Sequence, residues 1–458
     1  MPPFVGRSAE LGALRSALDR TVPSIVRVTG VPGSGRTTLV RRACEGGPAT
    51  HVHVPPLPDP LQRRALAREA GLATDGDPPG WEAIFESATA TSTPRRPAVL
   101  VLDDAHHLTD ARARIQGPLA ALLRGAGDGG RPVHVVLVGP AERLPVGADD
   151  ADVALDLPVG PLDLRAAGAL LPGDSPEDVI RAYALFGGIP GRLRRVDASV
   201  GWATNLRRLV LDPEAPLARA GLHALERATQ TPSRYAAILQ GLAFGEASWA
   251  EVHAAVPDLT ASGQVAPYLG RLEGLGQVET RRSLDARPGG RSRRYRIRDP
   301  FDAFWFRFVL PALPRLERGL GDAVLAETVR PAIDDHVATV LPDVCRTYMA
   351  SHVMERAGTN AREIGSLWGP GYDLPVAGVL RAGPAFYGTC RWAGRAGVQD
   401  LQSLEGGIAA TRYGFGRETR LRILFAAGGF SSELERSAAR RHDLMLVDAA
   451  ALVGVPSS

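Results

Sequence analysis

SIVRVTGVPGSGRTTLVRRAC, residues 24–44, decides how this chain is read. Ser24 to Thr29 is a β-rich run that ends on Gly30, and Thr37 to Cys44 continues as a helix. Strand, glycine-rich turn and helix in that order are the context in which a GxxxxG[KR][ST] match means a phosphate-binding loop. Gly30, Gly33 and Gly35 allow positive φ and close backbone approach. Successive N–H groups of Gly33, Ser34, Gly35, Arg36, Thr37 and Thr38 can then line a concave nest at a helix N-terminus, where β- and γ-phosphates bind. Thr37 offers its hydroxyl to Mg²⁺, and Arg36 stands where such loops carry a lysine. A planar guanidinium is larger than an ammonium and reaches a phosphate at another angle, so nucleotide binding is the expectation and fast hydrolysis is not.

Arg36 belongs to a chain-wide pattern. All 53 positions of the Lys+Arg count are arginine, and none of the 458 residues is lysine. In such a chain a Lys-to-Arg change at a site says less about lost activity than it would elsewhere. Codon usage and pressure against lysine modification both remain open as its cause.

The second half of the site is PAVLVLDDAHHL, residues 97–108. Val99 to Leu102 read as a buried central strand with Asp103 and Asp104 at its C-terminal end, the end at which open parallel sheets bind ligands. Asp103 is the candidate Mg²⁺ carboxylate. Asp104, with Arg36, is the candidate catalytic pair, placed to polarise an attacking water from a shorter side chain than glutamate. His106 and His107 read as polar turn residues, since no further His or Cys follows at ligand spacing.

These motifs, with FVGRSAEL at Phe4 to Leu11, VHVVLVG at Val133 to Gly139 and FGGIPGRL at Phe186 to Leu193, resemble in order and type the archaeal-type ATPases of the AAA+/STAND group. The resemblance implies ATP and Mg²⁺ as cofactors and an adenine pocket near Phe4, Val5, Gly6 and Pro190. It implies a helical lid after the core; Leu162 to Ala184 has helical periodicity with an N-cap at Ser175. Arg192, Arg194 and Arg195 are candidates for an arginine finger, against the plainer reading of a solvated face. One departure matters: Pro140 follows VVLVG where the family shows a small polar residue, and it cannot donate to a γ-phosphate. Slow turnover is therefore expected.

Length sets a prior of about three domains. A net charge of +3 leaves any nucleic-acid site to local clustering. Cys44, Cys345 and Cys390 are odd in number and widely spaced, as in a reduced, cytoplasmic chain without disulfides. Neither a signal sequence nor an apolar run of spanning length is evident, so no membrane partner is expected.

From about residue 215 the pattern changes. Ser233–Ala243, Ser248–Val256 and Val265–Val278 read as three amphipathic helices, followed by a strand to Arg282, a loop with Pro288-Gly289-Gly290 and a returning strand RRYRIRD. This is the order of a winged helix-turn-helix. Arg281 to Arg298 carries eight arginines against one aspartate, the footprint expected for a phosphate backbone. Arg287, Arg291, Arg293 and Arg294 are the candidate phosphate contacts, and Gln264 and Arg271 the candidates for base edges. A solvated loop, or a wing docked on the ATPase lid, are the competing readings.

RDPFDAFWFRFVLP, residues 298–311, reads first as core packing. In the same family a similar run leads into a C-terminal domain resembling PD-(D/E)xK nucleases. By that resemblance Asp343 falls at the helix acid, Asp373 at the strand aspartate, and Thr389 and Arg391 where E-x-K should stand. Losing the glutamate removes a ligand that Mg²⁺ prefers, so a degenerate nuclease fold is expected.

The expected fold is thus an α/β P-loop NTPase core of AAA+ type (1–155) with a helical lid (156–214), a winged helix-turn-helix (215–300) and a restriction-endonuclease-like α/β domain (301–458). The expected function is ATP-controlled DNA binding, with self-association left open. The alternatives are an ATP-controlled, metal-dependent nuclease in which Glu405 supplies a further acid, and a non-catalytic nucleotide-binding scaffold.

Overall fold

The computed structural model describes residues 4–93, 96–128, 132–141, 144, 153–173, 175–257, 259, 261–287, 293–414 and 416–454. The chain divides into two compact units, one of residues 1–161 with 189–191 and the other of 162–188 with 192–458.

In the first unit, helix α1 (Ser8–Leu18) precedes β1 (Ser24–Thr29), α2 (Arg36–Cys44), β2 (Ala49–His53), α3 (Asp59–Glu69), α4 (Trp81–Ala88), β3 (Ala98–Asp103), α5 (Arg112–Asp128), β4 (Val133–Gly139) and β5 (Val153–Pro158). The strands form one sheet in the order β2-β3-β4-β1-β5, with every pairing parallel. Side chains alternate across a strand, and here both faces are apolar. Val99 and Val101 join Val26, Val28, Leu39 and Val136 in one core cluster; Leu100 and Leu102 join Ile25, Phe85, Leu119 and Leu137 in the other. Two buried faces explain why β3 and β4 read as unbroken hydrophobic runs. The order also sets the site: β4 lies between β1 and β3, so the phosphate loop and the two aspartates end up at one carboxyl edge, flanking Gly139.

The second unit begins with helical segments that include α6 (Pro176–Phe186), capped where expected: the Ser175 hydroxyl accepts from the Asp178 N–H at 3.2 Å. Next come α7 (Pro232–Leu242), the short strand β6 (Ala247–Ser248), α8 (Trp249–Ala254), α9 (Ala266–Gly274), β7 (Val278–Arg282) and β8 (Arg293–Ile297). β6, β8 and β7 pair in that order as a small antiparallel sheet. A Ser248–Glu251 capping box starts α8. The aromatic run that follows is core on every side: Phe301, Phe304, Trp305, Phe306 and Phe308 are each at most 3% exposed.

A 28-residue helix, α10 (Arg330–Ala357), then leads to β9 (Ala361–Gly369), β10 (Tyr372–Leu380), β11 (Ala385–Arg391), α11 (Val398–Ala410), β12 (Thr419–Ala426), α12 (Ser432–Ala439) and β13 (Leu444–Asp448). This sheet runs β13-β12-β11-β10-β9, antiparallel from β9 to β11 and parallel from β11 to β13. Among the described residues no helix is long and apolar enough to cross a membrane.

Candidate nucleotide site and its basic and acidic counterparts

The loop from Gly30 to Gly35 is built by its glycines. Gly30, Gly33 and Gly35 take φ of +155°, +81° and +94°, where L side chains are strained. A Cβ on Gly30 would lie 2.4 Å from the Val159 carbonyl oxygen. The turn around Pro190 closes over the loop, since Gly191 donates its N–H to Gly33 O at 2.9 Å and Pro190 Cγ lies 3.8 Å from the Cβ position of Gly35. Arg7 braces it from the N-terminal box. This guanidinium is only 9% exposed, donates to Ser34 O at 3.3 Å and to Gly160 O, and pairs with Glu10 at 2.8 Å. Arg7 lies inside the FVGR box, yet sequence reasoning passed over it because nothing in a sequence shows which residue of a box turns inward. Phe4 is 38% exposed and Val5 half-buried, while Gly6 takes φ +50°.

Two polar atoms in this cradle are buried without a protein partner: Ser34 Oγ and Arg36 Nη1. Such atoms cost free energy unless a ligand or solvent satisfies them. Burial pushes the Arg36 pKa down, and the Asp104 and Asp103 carboxylates pull against it, which brings all three charges into one field. Thr37 is half-buried at the start of α2, and Thr38 is exposed.

The acidic side rests on an unusual backbone. Asp104 is the one non-glycine among the described residues with positive φ, at +54°. Asp and Asn tolerate this region best, which ties the short acid at this position to the turn that carries it. Asp104 donates its N–H to Asp103 Oδ1 at 3.1 Å. Two imidazoles face its carboxylate, His53 Nδ1 at 3.5 Å and His106 Nδ1 at 3.9 Å. His53 reaches it because β2 pairs with β3 in the register His53↔Asp103. Sequence reasoning did not find His53, since strand order alone makes it a neighbour. His106 also lies 3.5 Å from the Cβ position of Gly139, beside Pro140. Among the described residues no group of three or more His, Cys, Asp or Glu is arranged to hold a metal ion by itself.

Residues 20–146 match the family model described as an AAA domain, over the segment that carries both halves of this site. This segment is a P-loop ATPase domain of the AAA type. Residues 305–401 match a second model, archaeal and bacterial proteins of unknown function. An uncharacterized protein of Methanocaldococcus jannaschii is 23% identical over 233 residues, covering 48% of this chain and 49% of its own. The chain thus spans about half the length of that curated relative. Among solved structures, the Walker-type ATPase of Pyrococcus abyssi superimposes with a TM-score of 0.47 at 17% identity, over 66% of this chain and 96% of its own. The Aeropyrum pernix ORC1 protein, solved in complex with DNA, gives a TM-score of 0.34 at 15% identity, over 72% and 95%.

Outside the AAA domain, the structure joins the basic hairpin β7–β8 to the acids of the terminal sheet. Asp343, on α10, is bound by Arg281 and Arg296 from the hairpin and by Arg346 at 2.5 Å. Arg281 also holds Glu246 at 2.7 Å and Glu279 at 2.5 Å, and Arg296 holds Glu279 at 3.1 Å. Asp373, on β10, pairs with Arg294 at 2.8 Å, and Arg294 lies 4.5 Å over the Trp368 ring and 3.6 Å from Glu246. Burial, then the neighbouring Arg281, push the Arg296 pKa down. Burial raises Glu279, but Arg296 and Arg281 outweigh it and hold the carboxyl below its ordinary range.

The remaining candidates sit apart from this network. Thr389 is half-buried on β11, and Arg391 is exposed and chelates Asp400 Oδ1 at 2.9 and 2.7 Å. Glu405 belongs to another ion cluster, with Arg441 at 3.1 Å and Arg422 at 3.6 Å. Arg287 and Arg293 are exposed, and Arg291 lies outside the described residues with Pro288, Gly289 and Gly290. Gln264 and Arg271 both line a groove with Arg234, Tyr235 and Tyr268. Arg192, a finger candidate, is held by Asp299 at 2.9 Å and stacked on the Phe301 ring at 3.9 Å.

Proposed function

We propose that this chain is an ATP-binding, slowly hydrolysing switch of the AAA+/STAND type, whose nucleotide state controls DNA binding through a winged helix-turn-helix. The observation that carries the nucleotide half is the pair of orphaned buried atoms, Ser34 Oγ and Arg36 Nη1, in a glycine-built cradle facing Asp103 and Asp104. Those residues fit a Mg²⁺-nucleotide: backbone N–H groups and Arg36 for phosphate oxygens, Thr37 and Asp103 for the cation, and Phe4, Val5, Gly6 and Pro190 around the base. The metal, when bound, neutralises phosphate charge. Asp104 orients water, with His53 and His106 flanking its carboxylate. Arg36 in place of lysine, Pro140 after β4 and the short acid at Asp104 together argue for slow turnover.

The DNA half rests on helices α7, α8 and α9 followed by the basic hairpin. Its exposed cations Arg287 and Arg293 are the proposed duplex phosphate contacts; Arg294 is engaged by Asp373 and contributes less. We read the mixed terminal sheet behind α10 as nuclease-like in topology and as serving binding or assembly. Asp343 and Asp373 are each neutralised by arginine, which leaves a divalent cation little to attract.

The deciding experiment measures ATP affinity and turnover on the full chain beside Arg36→Lys. Tight binding with slow turnover, little changed by the substitution, supports an arginine-served ATPase. Absence of ATP binding in both proteins overturns the nucleotide reading. Metal-dependent DNA cleavage abolished by Asp373→Ala would overturn the non-nuclease reading of the terminal sheet.

A further inference from the structure

The groove between α7 and α9 measures about 860 Å³, within the range of ligand sites. It brings together Gln230, Arg234, Tyr235, Gln264, Tyr268 and Arg271. Tyr268 and Arg271 are three residues apart on α9 and share one helical face, and Gln264 precedes them in the 3₁₀ turn Ser262–Val265. On the other wall, Tyr235 meets Tyr268 edge to face at 5.1 Å, and Arg234 donates to the Tyr268 hydroxyl at 2.7 Å.

That wall bears on what the face can read. A helix that enters a duplex major groove must stand clear of its neighbours, because the groove admits one helix. Here Gln264 and Arg271 line a cleft whose other wall is α7, and Tyr268 between them is in contact with Tyr235. A concave, cationic cleft with adjacent aromatic rings and amide side chains suits a strand whose bases are unpaired: phosphates run past guanidinium groups, bases stack on phenol rings, and amides meet base edges.

We infer that this groove binds single-stranded nucleic acid, with Tyr268 as the stacking platform and Arg271 and Arg234 on the backbone. The inference rests on the DNA-binding reading above and narrows its ligand class at this site; the hairpin arginines remain the proposed duplex contacts.

The test uses the full chain and fluorescence anisotropy. The probes are a labelled oligothymidylate and the same strand annealed to its complement, with thymidine monophosphate as competitor. The expected result is tighter binding of the single strand than of the duplex. Tyr268→Ala weakens it on the order of ten- to a hundredfold, while Tyr268→Phe, which keeps the ring, binds nearly as the natural protein does. Arg271→Gln lowers the salt dependence by about 0.7 in the log–log slope. Unchanged melting of each variant shows that it folds.

Equal or tighter binding of the duplex, unaffected by Tyr268→Ala but weakened by Arg287→Gln with Arg293→Gln, overturns the inference and leaves the DNA-binding reading standing. Competition by the monophosphate as strong as by the strand overturns it in favour of a mononucleotide site. Failure of both strand and duplex to bind at low salt overturns both readings.

Discussion

The phosphate loop and the acid cluster of the terminal sheet use the same cation in opposite ways. At the loop, Arg36 points a buried Nη1 into the cradle without a protein acceptor, while Asp103 and Asp104 act on it only through the field. In the second unit, Arg281, Arg294, Arg296 and Arg346 face Glu246, Glu279, Asp343 and Asp373 and are consumed by them. An arginine in place of lysine therefore says nothing by itself about activity. Whether its donors end on protein carboxylates or remain available for a ligand decides the matter, and that differs between the two regions.

The largest expected effect lies in the closed region. Asp343→Ala leaves three guanidinium groups without their shared acceptor, and breaking such a buried network costs roughly 3–5 kcal/mol. Denaturant unfolding of the full chain measures it; a loss below about 1 kcal/mol, the value of a surface pair, would mean that the cluster is loosely held.

Acid should find the same unit weak. His336 is fully buried against Phe304 and Phe308, and burial pushes its pKa down to about 4. The folded form thus holds it neutral while the unfolded chain takes up a proton. This contribution is complete above the ordinary pKa of 6.5 and is lost as pH falls toward 4, roughly 3 kcal/mol over that window. His336→Gln should flatten the slope, and an unchanged slope would assign the acid sensitivity elsewhere.

In the open region the substitutions should touch ligand more than fold. Arg36→Ala removes a charge-assisted contact of about 1.5–3 kcal/mol, so ATP affinity falls about ten- to a hundredfold. Melting without nucleotide stays nearly unchanged, because Arg36 Nη1 bonds no protein acceptor. Calorimetric titration beside a thermal melt separates these, and a large loss of apo stability would show that Arg36 is structural. The smallest effect belongs to the exposed hairpin. Arg287→Gln should leave stability unaltered and reduce the salt slope of duplex binding by about 0.9, read by anisotropy across a salt series.

Much of the architecture was legible because local rules agreed with one another. The run from Val99 to Leu102 needed only its hydrophobicity to read as a strand covered on both faces, and Ser175 announced its helix as an N-cap. The phosphate loop was legible for the same reason: glycine placement is a backbone requirement written directly in residue type. The resemblance of Asp343 and Asp373 to a nuclease pair was legible as a pattern, but their state was not, since the hairpin arginines that hold them come from 47 to 79 residues away in sequence. His53 was invisible at the site for the same reason, because its partner lies 51 residues on and meets it only through strand pairing.

The sequence by itself thus determined the nucleotide loop, the order of its two halves, the alternation of elements and the absence of lysine, all set by residue type at short separation. Only the tertiary structure decided which charges meet. Coulomb energy and desolvation depend on distance and burial rather than on spacing along the chain, so an arginine open to a ligand and one closed on a carboxylate look alike until the chain is folded.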